Sequence, residues 1–219
     1  MKATIAVGTD LACSVPVKAL AAVAHARAGT VDRTVVTRLV LGGLPGTVLG
    51  LALCAAVRAH VGAAEFEAVV RRLIGAAILG AAGFAIVSHA FGSRRARRAP
   101  SAPPAPWATT GIGCIVGLLV AMTSIGAGAI TLPLLMLALP AYALRALIGS
   151  EIAFAALIVP VAALGHTMSA DVDWRIVANL TLGGVPGAYL GTWLCARLGD
   201  TVLRPAVIGL LVYSGVRLL

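Results

Sequence analysis

The chain has 219 residues, of which 60% are hydrophobic and only 11% are charged, and its mean hydropathy is +1.00. A soluble domain carries about 25% charged residues, so this composition excludes a soluble globular protein and predicts a surface covered by the lipid bilayer. The net charge is +9, but the basic residues lie mostly singly at the ends of apolar runs. A nucleic-acid-binding protein has a continuous basic face instead, so nucleic acid is excluded as a partner.

Apolar stretches long enough to cross a bilayer follow one another along the chain. A helix needs about 20 apolar residues to cross the hydrocarbon core. We therefore predict an all-α polytopic membrane protein, with a break inside its long fourth span. The predicted spans are residues 4–24, 35–57, 68–92, 108–139, 144–166, 176–197 and 202–218.

An internal repeat organises these spans. Residues 8–54 recur at 149–195, displaced by 141 positions without a gap, and 18 of the 47 aligned pairs are identical. The first span matches the fifth and the second matches the sixth. Because a displacement of four spans preserves direction, we predict two parallel repeats.

The two repeats are predicted to differ in length. The first covers residues 1–92 with about three helices, and the second covers 108–219 with about four. The helix that opens the second repeat has no counterpart before Met1, so we expect the first helix of repeat one to be missing. That indicates either a start site set too late or a shortened member.

The linker between the repeats, residues 93–107, is rich in arginine and proline. Four clustered arginines place it in the cytoplasm by the positive-inside rule. Counting spans from this loop places residues 25–34 and 167–175 inside as well, with the amino terminus outside and the carboxyl terminus inside.

Equivalent acidic residues lie in the two repeats, as Gly8-Thr9-Asp10 and Gly149-Ser150-Glu151. A carboxylate within a span costs about 2.5–3.5 kcal/mol at the bilayer centre. Two interpretations stay open. Asp10 and Glu151 carry protons in a cavity between the repeats, with Thr9 and Ser150 beside the substrate, or they only cap helix starts.

Lys18 lies eight residues after Asp10, a little over two helical turns along a similar face. Its repeat equivalent is Val159. A lone lysine in a span is a candidate for binding an anionic substrate. The alternatives are an internal ion pair or a side chain that reaches the interface.

The fourth span contains residues that weaken a helix: Thr123, Ser124, Gly126, Gly128 and Pro133. A broken helix exposes free N–H groups and a positive dipole end, which suit an anion, and the hydroxyls add donors. The alternative is close helix packing by small residues. We favour a substrate site at residues 123–128.

Both repeats carry a Gly-Gly-x-Pro-Gly-x-x-x-Gly segment whose spacing lets helices touch backbone to backbone. We expect these residues to pack the repeats against each other, with kinks at the prolines. They are Gly42, Gly43, Pro45, Gly46, Gly50, Gly183, Gly184, Pro186, Gly187 and Gly191.

The sequence has no recognisable motif for metal binding, nucleotide binding or nucleophilic catalysis. The four cysteines have neither zinc spacing nor a disulfide pattern, and no nucleotide loop or Ser/His/Asp arrangement stands out. We expect no metal, no cofactor and no enzymatic activity.

These segments, in their order and spacing, resemble the sulfite exporter family TauE/SafE of bacterial membrane proteins over nearly the whole chain. The resemblance is carried by residues 6–11, 25–32, 42–50, 124–128, 149–151, 172–174 and 183–191. It implies a secondary transporter of the cytoplasmic membrane that moves small sulfur-containing anions, such as sulfite and organosulfonates, usually outward. This chain departs from the family in lacking a glycine-rich helix before Ala6, in the make-up of residues 124–128, and in having Glu151 in place of Asp.

The sequence therefore predicts an anion exporter whose site lies between the repeats, with protons as a second candidate ligand. The alternatives from other classes are a non-transporting membrane scaffold or assembly subunit, a truncated inactive family member, and a channel. The sequence leaves the anion, the coupling ion, the direction and the oligomeric state open, a homo-oligomer included.

Overall fold

The computed structural model describes residues 3–61, 106–124, 128, 130–139, 142–169 and 172–198, with isolated positions at 64, 65, 68, 69, 72, 202, 206 and 209. Its six continuous helices are α1 (Ala3–Arg27), α2 (Arg33–His60), α3 (Pro106–Thr123), α4 (Thr131–Ala138), α5 (Leu144–Met168) and α6 (Trp174–Arg197). Of these, α1, α2, α3 and α5 are long and apolar enough to cross a bilayer. The all-α polytopic class is confirmed. The predicted spans 68–92 and 202–218 and most of the linker lie outside the described residues.

Two helices begin at equivalent aspartates. Asp32 Oδ1 accepts hydrogen bonds from the N–H groups of Thr34 and Val35, at 2.9 and 3.1 Å. Asp173 Oδ1 does the same for the two matching residues of α6, at 3.0 and 3.2 Å. Each aspartate thus satisfies N–H groups that have no partner within the helix. The duplication is preserved down to these caps.

The halves are joined by a reciprocal pair of hydrogen bonds. The Asp32 N–H donates to Ser150 Oγ at 2.9 Å, and the Asp173 N–H donates to Thr9 Oγ1 at 2.9 Å. Thr9 matches Ser150 and Asp32 matches Asp173, each 141 positions apart. An approximate two-fold axis therefore relates the two repeats.

These bonds also give the direction of the helices. Thr9 lies near the start of α1 and bonds the residue that follows α5, whereas Ser150 lies near the start of α5 and bonds the residue that follows α1. A Cβ placed on Gly149 would lie 2.5 Å from the carbonyl oxygen of Thr30. Helices α1 and α5 are therefore antiparallel, and the repeats are inverted. The prediction of parallel repeats is wrong.

The error lies in the fourth predicted span. The prediction treats residues 108–139 as one crossing of the membrane, whereas the chain forms α3, a break and the short helix α4. The backbone turns because Ser124 and Gly128 have φ angles of 57° and 111°, in the left-handed region that a right-handed helix cannot contain.

The path of the chain shows that it returns after this break. Helix α3 runs parallel to α2, because successive glycines of α2 face Thr110, Cys114 and Leu118 in order. Helix α5 nevertheless begins at the face of the molecule where α1 ends. Between α3 and α5 the chain therefore returns across the molecule. The two repeats are then separated by an odd number of crossings, which reverses their direction.

This return changes the predicted topology. We call the side at which α1 begins the first face and the side at which it ends the second face. Residues 28–32 lie at the second face, whereas Ser169, Val172 and Asp173 lie at the first. The expectation that both loops lie inside is wrong, because it assumed an even number of membrane crossings between them. The predicted inside carboxyl terminus depended on the same count, and its segment lies outside the described residues.

Glycines allow α2 and α3 to pack with their backbones in contact. A Cβ on Gly46 would collide with the carbonyl oxygen of Cys114, and one on Gly113 would collide with that of Leu39. Around this contact the core is filled by fully buried side chains of α2, α3 and α5, among them Leu39, Val116 and Phe154.

The close contact predicts an asymmetric effect of Gly→Ala at equivalent positions. Gly46→Ala should lower the free energy of unfolding by about 1–3 kcal/mol, because the added methyl forces α2 away from α3. Gly187→Ala is the matched control, since no described residue lies within 4 Å of its Cβ position and alanine favours a helix. Unfolding in detergent compares the two, and equal losses would contradict the packing.

The inverted topology predicts opposite labelling of two equivalent positions. Ala28→Cys and Ser169→Cys, each made where the four native cysteines have been replaced, put a thiol in the two exposed inter-helix turns. A membrane-impermeant thiol reagent added to sealed vesicles should modify only one of the two variants. Labelling of both from the same side would restore the parallel arrangement.

Candidate functional site

The antiparallel packing of α1 and α5 places Lys18 opposite Glu151. Their Nζ and Oε1 atoms are 3.6 Å apart, and the side chains are 22% and 5% exposed. The alternative that Lys18 pairs internally therefore holds in this structure. Since an ion pair this deep is expensive to desolvate, its presence within two membrane helices points to a functional centre.

Neither predicted carboxylate caps a helix. Asp10 and Glu151 each lie seven residues after the first residue of their helices, Ala3 and Leu144. At that depth no N–H group of the helix lacks a partner. The capping interpretation of Asp10 and Glu151 is therefore wrong. The aspartates that cap helices are Asp32, at the start of α2, and Asp173, at the start of α6.

Asp10 has a different partner from Glu151. The hydroxyl of Ser124 donates to Asp10 Oδ2 at 2.5 Å, which is a short, charge-assisted bond. Ser124 holds this position with a φ of 57°, an uncommon conformation for a residue other than glycine. The bond joins the break after α3 to the middle of α1.

The two-fold axis relates these two centres and shows how they differ. Lys18 corresponds to Val159, and Glu151 corresponds to Asp10, so the contact Lys18–Glu151 maps onto Val159–Asp10. The two centres therefore have one carboxylate each, but only the Glu151 centre has a lysine. Asp10 accepts a hydrogen bond from the Ser124 hydroxyl, whereas its counterpart Glu151 pairs with the Lys18 ammonium group.

The helix break lies between the two centres. Ser124 touches Asp10, and the Cβ position of Gly128 lies 3.7 Å from Glu151 Oε1. Gly126 lies outside the described residues. The Oε1 atom is buried and has no hydrogen-bond partner in the described structure, so Lys18 and the break are its polar surroundings.

Not every predicted site residue joins this group. The hydroxyl of Thr123 donates to the Leu119 carbonyl oxygen of its own helix at 2.7 Å. The hydroxyl oxygens of Thr9 and Ser150 accept the N–H groups of the two capping aspartates. The structure thus brings together Lys18, Asp10, Ser124, Gly128 and Glu151, and it uses Thr9 and Ser150 to join the repeats.

The predicted packing residues also divide. Gly42, Gly46 and Gly50 face the backbone of α3; Gly43 faces Phe154, and the Cβ position of Gly184 lies 2.9 Å from Val17. Pro45 and Pro186 are exposed. Among the described residues, nothing lies within 4 Å of the Cβ positions of Gly183, Gly187 and Gly191, so their packing role stays a prediction.

A cavity of about 640 Å³ opens beside the Asp10 centre at the first face. Its wall is mostly apolar and includes Val7 and Met122, which precede Asp10 and Ser124 by three and two positions. His166 also lines it and donates from Nε2 to the Ala121 carbonyl oxygen at 2.8 Å. The sequence prediction lacked this cavity, although the recurrence of His25 as His166 was a signal at that position.

The described residues contain no group of three or more His, Cys, Asp or Glu side chains that could hold a metal ion. Their chemistry consists of one buried cation, two carboxylates, a hydroxyl and the backbone of a broken helix. These groups have the chemistry to bind a small charged solute.

Comparison with known proteins identifies the family of this chain. The model of the family "Sulfite exporter TauE/SafE" matches residues 1–218. The chain belongs to the TauE/SafE family. A relative from Bacillus subtilis (strain 168), described as "Probable membrane transporter protein YjnA", is 28% identical over 229 residues, covering 99% of this chain and 85% of that protein. No solved structure matches.

Membership of TauE/SafE makes the chain a multi-pass membrane transporter, and not an enzyme. The predicted family and the predicted contact with the lipid bilayer are confirmed. The substrate and its direction are not given by these matches.

The ion pair predicts strong coupling between its two residues. Lys18→Met should lower the free energy of unfolding by up to about 3 kcal/mol, because Glu151 is left buried without a counter-charge. The double variant Lys18→Met/Glu151→Leu should recover most of this loss. Thermal or denaturant unfolding of the two single variants and the double variant measures the coupling, and simple addition of the two losses would show that the pair does not interact.

Proposed function

We propose that this transporter exports small sulfur-containing anions, such as sulfite or organosulfonates, across the bacterial cytoplasmic membrane. The observation that carries the proposal is a lysine ammonium held within a membrane helix, next to a broken helix. The family description names sulfite, and the site has the chemistry that an oxyanion of sulfur requires.

The contacts available to an anion support this assignment. Lys18 supplies a positive charge that is only 22% exposed, so its attraction for an anion is screened less than at a surface. Ser124 supplies a hydroxyl, and the break before α4 supplies backbone N–H groups at the start of a helix. Sulfur oxyanions present several acceptor oxygens, which these donors match.

The inverted repeats support a carrier. In transporters built from inverted repeats, the site lies near the middle of the membrane, and one repeat rocks against the other to open each face in turn. Here Lys18, Glu151 and the break lie where α1 and α5 cross, next to the two-fold axis. The division into repeats 1–92 and 108–219, with a linker at 93–107, is part of this proposal.

The orientation follows from the arginine-rich linker. We place residues 93–107 in the cytoplasm by the positive-inside rule, and α3 begins at the end of this linker, at Pro106. The second face is then cytoplasmic and the amino terminus lies outside. The cavity at the first face opens outward, which makes it an exit path. Asp10 and Glu151 are the candidate proton carriers.

Counterflow in proteoliposomes tests the function. Sulfite, thiosulfate, sulfate and methanesulfonate are each loaded inside and exchanged against labelled anion outside. We expect saturable exchange of at least one of them. Conductance without saturation would identify a channel, and no flux at any pH would favour a scaffold or an inactive member.

A substitution at Lys18 tests the site. Lys18→Ala should raise the half-saturation concentration by at least about tenfold, because a charge-assisted contact with a buried group is worth about 1.5–3 kcal/mol. Arg145→Ala is the control, since Arg145 is an exposed cation at the start of α5. Unchanged kinetics in the Lys18 variant would remove Lys18 from the site.

A further inference from the structure

We propose that the transported anion and the Glu151 carboxylate compete for Lys18, so that each anion bound is accompanied by one proton taken up by Glu151. This inference rests on the proposed function and adds to it the identity and the number of the coupled ions. It assigns the proton to Glu151, and not to Asp10.

The ion pair is built to be exchanged. Its Nζ–Oε1 distance of 3.6 Å exceeds hydrogen-bond length, and Glu151 Oε1 makes no hydrogen bond in the described structure. Glu151 is only 4% exposed. In the described structure Lys18 is therefore the counter-charge of Glu151, and no hydrogen bond to Oε1 reinforces the pair.

Lys18 is the one cation within ion-pair distance of Glu151 in the described structure, although α2, which also packs against α5, has Arg33 and Arg38. Helices α3 and α4 contain no charged residue. From α1, the other charged group near the break is Asp10, which carries the same charge as Glu151. Asp32 at the start of α2 lies next to Ser150, but its carboxylate caps α2. Within α5, Arg145 lies at the helix start and His166 in the last turn.

Binding of an anion at Lys18 then has a defined consequence. Glu151 would be left as an unpaired carboxylate in a site from which water is largely excluded, which is far more costly than a neutral carboxylic acid. A proton from the aqueous phase therefore forms an O–H bond on Glu151 as the anion takes its place beside Lys18. The positive charge on Lys18 is unchanged throughout.

Asp10 lacks the features that would make it the proton site. It is exposed, it accepts the Ser124 hydroxyl, and its symmetry-related neighbour is Val159 and not a cation. An anion at Lys18 removes no partner from Asp10, so the contacts of Asp10 do not change. The asymmetry between the two repeats thus selects one carboxylate for coupling.

The linkage has a definite sign. Wherever Glu151 is charged without the anion and neutral with it, binding one anion requires one proton, so the half-saturation concentration should rise about tenfold for each unit of increasing pH. Methanesulfonate and sulfate are suitable probes, because their own charges do not change between mildly acidic and mildly alkaline pH. Any dependence on pH then comes from the protein.

The experiment measures exchange of both probes against pH for the wild type, Glu151→Gln and Asp10→Asn in proteoliposomes. The wild type and the Asp10 variant should show the one-proton slope. The Glu151 variant should be independent of pH, with a half-saturation concentration as low as that of the wild type at acidic pH, since its neutral amide no longer competes for Lys18.

A second readout does not depend on any variant folding. Addition of a saturating probe anion to the unbuffered wild-type protein in detergent should take up about one proton per anion bound, followed with a pH-sensitive dye. Saturable exchange without proton uptake, or a Glu151 variant that keeps the wild-type slope, would overturn the inference and leave the proposed function standing. Absence of saturable exchange of all four anions would overturn the proposed function itself.

Discussion

The antiparallel contact between α1 and α5 determines the rest of the molecule. It is held at both ends by the same interaction, a hydroxyl in one repeat that accepts the N–H group of the capping aspartate in the other. Because these bonds are equivalent, they fix the register of the two helices about a two-fold axis. That register places Lys18 opposite Glu151, and it brings the helix break between the two carboxylates.

The fold could be predicted from the sequence where it depended on local patterns. Hydropathy located the helices, because lipid requires long apolar segments, and the gapless displacement revealed the duplication. The direction of the repeats could not be obtained in this way. It depended on whether residues 108–139 cross the bilayer once or turn back, and this is decided by the backbone at Ser124 and Gly128. The glycine, serine and threonine residues there predict that the helix is interrupted, but they do not show on which side of the membrane the chain continues.

The candidate site was predictable as a set of residues but not as a set of contacts. Lys18, Asp10, Ser124 and Glu151 stand out because charge and hydroxyl groups are rare within apolar spans. Their pairing depends on the antiparallel register, which parallel repeats would have excluded. The same register explains why Thr9 and Ser150 were assigned to the substrate. Their position beside a carboxylate suggested a binding role, whereas their oxygens satisfy N–H groups in the opposite repeat.

Because only one of the two symmetry-related contacts is an ion pair, two states that exchange these contacts would differ in free energy. If the repeats exchange conformations during transport, each contact is replaced by its symmetry equivalent, and Lys18–Glu151 in one state corresponds to Val159–Asp10 in the other. A second lysine would have made the states alike and placed four charges in a region about 12 Å long. With one lysine, the empty carrier favours the state in which the pair is closed, and an anion that takes Glu151's place removes that preference. In the proposed mechanism, the loss of symmetry at position 159 is thus what would let the substrate, rather than the protein alone, release the closed state.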